Sequence, residues 1–191
     1  MGQKHMRNIG LLDDAQVTAF SDPNPRMSAA SENLSGAKGF KDHGEFTASG
    51  LCDALVIAAP NHLHLPILRD AMASDLPILC EKPMGISLAE REEITALDAQ
   101  HTAQTSVAME YRYMPPVARL IEEAHARRAG PLHMLSIREH RLPFLAKVNN
   151  WNGFASQIGG TLVEKCCHFF DLMRLILRAD PSACLRLAGY R

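Results

Sequence analysis

Glu164, His168 and Asp171 stand at i, i+4 and i+7 of a segment, 161–178, whose pattern predicts a helix, and that spacing puts all three on one face. Nearly everything else on it is apolar. Leu162, Phe169, Met173 and Ile176 take the opposite side, while Cys167, Phe170, Leu172 and Leu175 flank the polar stripe. Polar groups isolated in this way point to a cleft rather than an ordinary solvated face. Histidine takes a proton near neutral pH, and a carboxylate one turn away can orient the ring and stabilise its charged form. An ion pair on the helix surface is the competing reading. Glu164, Cys166, Cys167 and His168 make no metal site, because adjacent helical residues diverge by about 100° and no second cluster at zinc spacing exists.

Three further groups end short apolar runs. Lys82, in Glu81-Lys82-Pro83, follows the run 77–80; Asn61, His62 and His64 follow 54–59 and Pro60; Asp22 follows 15–20. If these runs are parallel strands, the residues after them gather at the carboxyl edge of the sheet, where such folds bind ligands. A lysine there can hydrogen-bond a substrate hydroxyl or help move its proton. A carboxylate such as Asp22, twenty residues beyond a glycine loop, suits ribose hydroxyls, and Gly2 stands where the third glycine of a G-x-G-x-x-G loop would be. The plainer alternatives are a turn at Asp22, a helix cap at Asn61 and a surface lysine at Lys82.

The elements that must position these residues alternate. A helical pattern over 64–74, with Leu65, Leu68 and Met72, lies between the runs 54–59 and 77–80. Another, over 87–101, opens on a capping box of Ser87 and Glu90, carries Leu88, Ile94 and Leu97, and leads to a strand over 105–109. Strands alternating with helices predict a doubly wound parallel sheet. Beyond 113–116 the pattern changes to a helix over 117–128 and an alternating stretch, 132–141, that suits an antiparallel strand. The reading is therefore an α/β nucleotide-type domain over 1–114 and the beginning of an α+β domain over 115–191, its sheet mostly antiparallel.

Twenty basic against twenty-one acidic residues leave a net charge of −1, without the basic excess that nucleic acid or anionic lipid selects. No apolar run approaches the length of a membrane span, and the polar start lacks a signal peptide's apolar segment, so a cytoplasmic protein acting on a small molecule is expected. The five cysteines, odd in number and without C-x-x-C spacing, read as reduced thiols.

In this order and context, Met1-Gly2-Gln3-Lys4-His5, Ser21-Asp22-Pro23-Asn24-Pro25, Ala59-Pro60-Asn61-His62-Leu63-His64, Glu81-Lys82-Pro83, and Gly159-Gly160 followed by Glu164, His168 and Asp171 resemble the Gfo/Idh/MocA family. That family is named for glucose-fructose oxidoreductase, inositol dehydrogenase and a rhizopine-catabolism protein. The resemblance covers nearly the whole chain. It implies a Rossmann domain holding NAD or NADP, a second domain walling the substrate site and often forming an oligomer interface, and hydride transfer between the nicotinamide and a secondary alcohol or ketone of a sugar or inositol. It further implies Lys82, His168 and Glu164 as catalytic residues, with Asp171 joining them at the substrate. Gly2, Asp22, Pro60, Asn61, His64, Glu81, Lys82 and Arg112 would line the cofactor site. Asp22 favours NAD, whereas Arg26 could reach a 2′-phosphate.

Departures accompany the matches. The family's first strand and two loop glycines have no counterpart, and the second sheet stops early at 185–191, so the sequence reads as truncated at both ends, short of the surface a full-length relative uses to oligomerise. Glu164 is one methylene longer than the usual aspartate, and Cys166 replaces a frequent glycine. A ligand-binding protein without turnover and an inactive remnant are the alternatives to an enzyme.

Overall fold

The computed structural model describes residues 1–140 and 147–183, which form two compact units: 1–108 with 147–164, and 109–140 with 165–183. Cys184 and the end of the expected second sheet, 185–191, lie outside the described residues, as does position 141 of the alternating stretch.

The first unit runs α1 (Gly2–Ile9), β1 (Ala19–Ser21), α2 (Pro25–Ser35), β2 (Lys38–Phe40), α3 (His43–Thr47), β3 (Leu55–Ile57), α4 (His64–Ala71), β4 (Ile78–Cys80), α5 (Leu88–Asp98) and β5 (Thr105–Val107). It resumes, after a 3-10 turn at Val148–Gly153, with the short helices α7 (Ala155–Ile158) and α8 (Thr161–Glu164). The strands are shorter than the apolar runs that encode them: β1 takes only the end of its run with Ser21 beyond it, and β4 the last three residues of its run. All pairing is parallel. Ala19 faces Lys38 in one sheet of two strands; Leu55, Ile78 and Thr105 align in a second of three.

A doubly wound sheet has the strand order 3-2-1-4-5-6. Here β2-β1 corresponds to 3-2 and β3-β4-β5 to 4-5-6, and the described residues supply no strand for the place between. The single sheet is thus observed as two, each in the strand order that a Rossmann-like fold requires.

The core lies under the three-stranded sheet. Leu65, Leu68, Ala71 and Met72 on α4 and Ile94 on α5 bury against Leu55, Ile57, Ile78 and Cys80. Leu68, Cys80 and Ile94 are completely buried, whereas Leu88, read as an apolar position of α5, is exposed because it falls in the first turn, off the packed face.

Local chemistry sets the helix ends. Asn24 caps α2 by accepting from the N–H groups of Arg26 and Met27 at 3.0 and 3.2 Å, Pro25 fits the first helical position, and Gly36, with φ 67°, closes the helix. The Ser87 hydroxyl accepts from the Glu90 N–H at 3.2 Å, while Glu90 Oε2 reaches back to the N–H of Ile86 rather than of Ser87, at 2.8 Å. The capping box is therefore shifted by one residue on its acidic side.

The second unit holds a 3-10 turn at Glu110–Tyr113, α6 (Pro115–His125) and α9 (Cys167–Leu177). The alternating stretch forms no strand among its described residues: Leu135 and Ile137 are half-buried and their neighbours exposed, but no partner ladder stands beside them. The helix expected over 161–178 is two helices, α8 and α9, interrupted at Lys165 and Cys166. On α9 the buried stripe is His168, Leu172 and Ile176, so His168 shares the packed face instead of opposing it.

Candidate active site

In the first unit the carboxyl ends of β3 and β4 carry the site. β4 ends at Cys80, so Glu81 and Lys82 leave the sheet edge directly. The Lys82 ammonium donates to the Glu164 carbonyl oxygen at 2.9 Å and to its Oε1 at 3.2 Å, with both side chains largely buried. Glu164 is the last residue of α8, and its carbonyl oxygen accepts from a lysine 82 residues away in sequence. The pairing of Lys82 with Glu164 uses both the backbone and the extra length of the glutamate.

Glu81 is buried and accepts from or pairs with His5 Nε2 at 2.8 Å. Burial drives its carboxyl upward, but the hydrogen bond and charge of His5, with the N–H and ammonium of Lys82, together outweigh this and hold it below the ordinary value. Glu81 is therefore a fixed negative charge beside the Lys82 backbone. Neighbouring Cys80 has its thiol pushed up to about 12 by burial and by the Glu81 charge, which leaves it inert as a nucleophile.

His64 is completely buried, with Nδ1 2.8 Å from the Pro83 carbonyl oxygen and Nε2 3.0 Å from that of Ala59. It ties the loop after β3 to the loop after β4, so its part in the site is to hold the two loops together. Burial pushes its pKa below the ordinary value, against the two carbonyls and the charges of Glu81 and Glu90. An unfolded chain takes up a proton here at about pH 6.5, where the folded chain does not. This contribution to stability is thus complete above that pH and is lost as pH falls toward the folded value. We expect the urea midpoint to fall between pH 7 and pH 5, and to fall less in His64→Gln; equal pH dependence in the two proteins would contradict the assignment.

Asn61 is buried at the start of a 3-10 turn, and its Nδ2 has no hydrogen-bond partner among the described residues. Pro60 precedes it as the turn's cap. Asp22 follows β1 and accepts from the Asn24 N–H at 2.9 Å, which leaves its second carboxylate oxygen for another donor. Gly2 opens α1, and a side chain there would stand 3.9 Å from the Ala58 Cβ. Gln3, Lys4 and His5 follow it in the first helical turn.

In the second unit His168 is buried, with Nε2 3.5 Å from Glu110 Oε1 and its ring stacked on Tyr111 at 4.1 Å between centroids. Arg112 clamps Asp171 through Nε at 2.6 Å and through a second guanidinium nitrogen, and this pairing raises the guanidinium pKa further. Sequence reasoning had assigned Arg112 and Asp171 outward to ligands; the structure commits each to the other. It missed Lys165, Glu139 and Tyr111 as a group, because a lysine and a glutamate 26 residues apart in different elements share no sequence spacing.

Among the described residues, no helix is long and apolar enough to cross a membrane.

Residues 1–109 match a family described as an oxidoreductase family with an NAD-binding Rossmann fold, and residues 125–189 match its C-terminal alpha/beta domain. The chain is 27% identical over 184 residues to the rhizopine catabolism protein MocA of Rhizobium meliloti, covering 95% of this chain and 56% of that protein. It is 33% identical over 143 residues to the inositol 2-dehydrogenase of Corynebacterium glutamicum (strain R), covering 71% and 41%. The solved myo-inositol dehydrogenase of Lactobacillus casei, in complex with NAD(H) and myo-inositol, superposes with a TM-score of 0.74 at 19% identity, covering 93% of this chain and 51% of that one. The chain thus spans about half the length of the relatives it matches.

Proposed function

The chain belongs to the Gfo/Idh/MocA oxidoreductase family, and from that membership we propose that it serves hydride transfer between NAD(P) and a secondary alcohol or ketone of a sugar or inositol. Residues 1–114 would form the nucleotide-binding domain and 115–191 the opening part of the catalytic domain. The observation that carries the reading is Lys82: a largely buried ammonium at the carboxyl edge of a parallel sheet, held in place by both the backbone and the side chain of Glu164. A group that must meet a reacting oxygen has to be held in place, and this one is, at the sheet edge where such folds bind ligands.

The residues present suit the dinucleotide. Asn61 offers a buried amide donor with no partner among the described residues, and Asp22 keeps a carboxylate oxygen free of the Asn24 turn. Gly2, Pro60, Asn61, Glu81, Lys82 and Arg112 would make up the rest of the cofactor's surroundings, with His64 setting their loops. When bound, the nicotinamide supplies a two-electron acceptor or donor for hydride. Lys82 hydrogen-bonds the substrate oxygen and stabilises its developing charge. His168 takes the hydroxyl proton during oxidation and returns it during reduction, while Glu164 holds Lys82 and Asp171 holds Arg112.

Asp22 favours NAD, since a carboxylate accepts from free ribose hydroxyls and repels a 2′-phosphate. Fluorescence titration of NADH and NADPH tests this. We expect tighter NADH binding, and in Asp22→Ala a loss of NADH affinity of about tenfold, the worth of one hydrogen bond to a charged group, with NADPH affinity unchanged or improved. Failure of both nucleotides to bind would overturn the reading; binding without turnover of any sugar or inositol would favour a ligand-binding protein instead.

A further inference from the structure

We propose that Lys165 and Tyr111 are positioning residues that fix the plane of the His168 imidazole, a role that rests on the proposed use of His168 as proton acceptor. Lys165 is 8% exposed. A buried ammonium is costly, and a well-packed apolar side chain in its place is commonly as stable or more so. Stability therefore gives little reason for a lysine here. Its contacts give a better one.

Lys165 Nζ donates to the Tyr111 hydroxyl at 2.7 Å and pairs with Glu139 Oε2 at 3.1 Å, while that hydroxyl donates to Glu139 Oε1 at 2.9 Å. The phenol oxygen is thus fixed by one donor and one acceptor, so the far end of the Tyr111 ring cannot swing. Lys165 also lies 6.0 Å from the centre of the Phe169 ring. The near face of Tyr111 lies flat on His168, with 4° between the planes. Rotation of the imidazole about its own bond would drive its edge into the tyrosine ring. The pinned phenol confines the imidazole to that plane, in which Nε2 faces Glu110 Oε1 at 3.5 Å.

A proton acceptor must keep its nitrogen in line with the hydroxyl it serves, and a misplacement of 1 Å costs about a hundredfold in rate. Nuclear magnetic resonance of histidine-labelled protein reads the stack directly, because carbon-bound protons of His168 over the tyrosine face shift upfield. In Lys165→Met we expect most of that shift to vanish and kcat to fall about tenfold to a hundredfold, with the nicotinamide KM within about twofold of wild type. Tyr111→Phe keeps the ring and loses its anchor, and should fall between the two. Glu139→Gln, at an exposed residue, provides the same readout without opening a cavity should Lys165→Met fail to fold. An upfield shift intact in both Lys165→Met and Glu139→Gln overturns the proposal, as does a lost shift with unchanged kcat. Absence of turnover in every form, wild type included, with the shift lost in the variants, overturns the dehydrogenase reading and leaves the positioning assignment standing.

Discussion

Under the proposed hydride-transfer function, Lys82→Ala is expected to lower turnover by about a thousandfold, within the range that a positioned acid–base or charge-stabilising group contributes, and to leave NADH affinity within about threefold. The separation follows from where the ammonium is held. Both hydrogen-bond acceptors of the Lys82 ammonium are atoms of Glu164, so its removal takes nothing from Asp22 or Asn61, the nucleotide contacts proposed above. Glu164 would then keep a largely buried carboxylate without its cation, which also costs stability. Lys82→Met, which preserves the volume of the stem, separates this effect from packing; Lys82→Arg is not a rescue, because a planar fork cannot occupy the site of a compact ammonium. Steady-state kinetics with a parallel fluorescence titration check the prediction. Normal turnover in either variant would remove Lys82 from the reaction.

The sheet-edge half of the site was legible in the sequence because a strand followed by Glu81-Lys82-Pro83 or by Pro60-Asn61 puts those residues at the edge whatever the tertiary details. Alternation of apolar runs and helical patterns located β3, α4, β4, α5 and β5 to within a few residues. It could not reveal the break between α8 and α9. The pattern of 161–178 is continuous, and what coincides with the break is a carbonyl occupied by a lysine from another element, a tertiary contact. The same reasoning explains His64 and Lys165. Both are polar residues whose burial depends on partners distant in sequence, Pro83 for one and Tyr111 for the other. The cap at Asn24-Pro25 and Gly36 could have located α2, since they form the expected asymmetric pair of helix signals. The alternation of 132–141 forms no strand among its described residues, 132–140, and alternation alone does not make a strand.

Alanine at Gly159 is expected to destabilise the first unit by about 2–5 kcal/mol, the sum of left-handed backbone strain of about 1–2 and overpacking of about 1–3. Gly159 closes α7 at φ 73°, and a Cβ there would clash with the Ile86 carbonyl oxygen and stand 3.0 Å from its carbon and 3.0 Å from Val163 Cγ1. The first two are backbone, so no side chain can turn aside. Ile86 is itself held, because its N–H donates to Glu90 Oε2 and the next residue caps α5. The segment that must yield instead is the one leading into α8, and α8 carries the Glu164 that fixes Lys82. Turnover should therefore fall with stability, beyond what the folded fraction explains. Gly160 provides the control: its φ is 82°, but a Cβ there meets nothing within 4 Å, so Gly160→Ala carries only the backbone strain. Urea denaturation of the two variants separates the terms. A loss at Gly159 clearly larger than at Gly160 assigns the excess to the contact with Ile86, and equal losses would show that the two segments are not pressed together and that Lys82 and Glu164 are held by their hydrogen bonds alone.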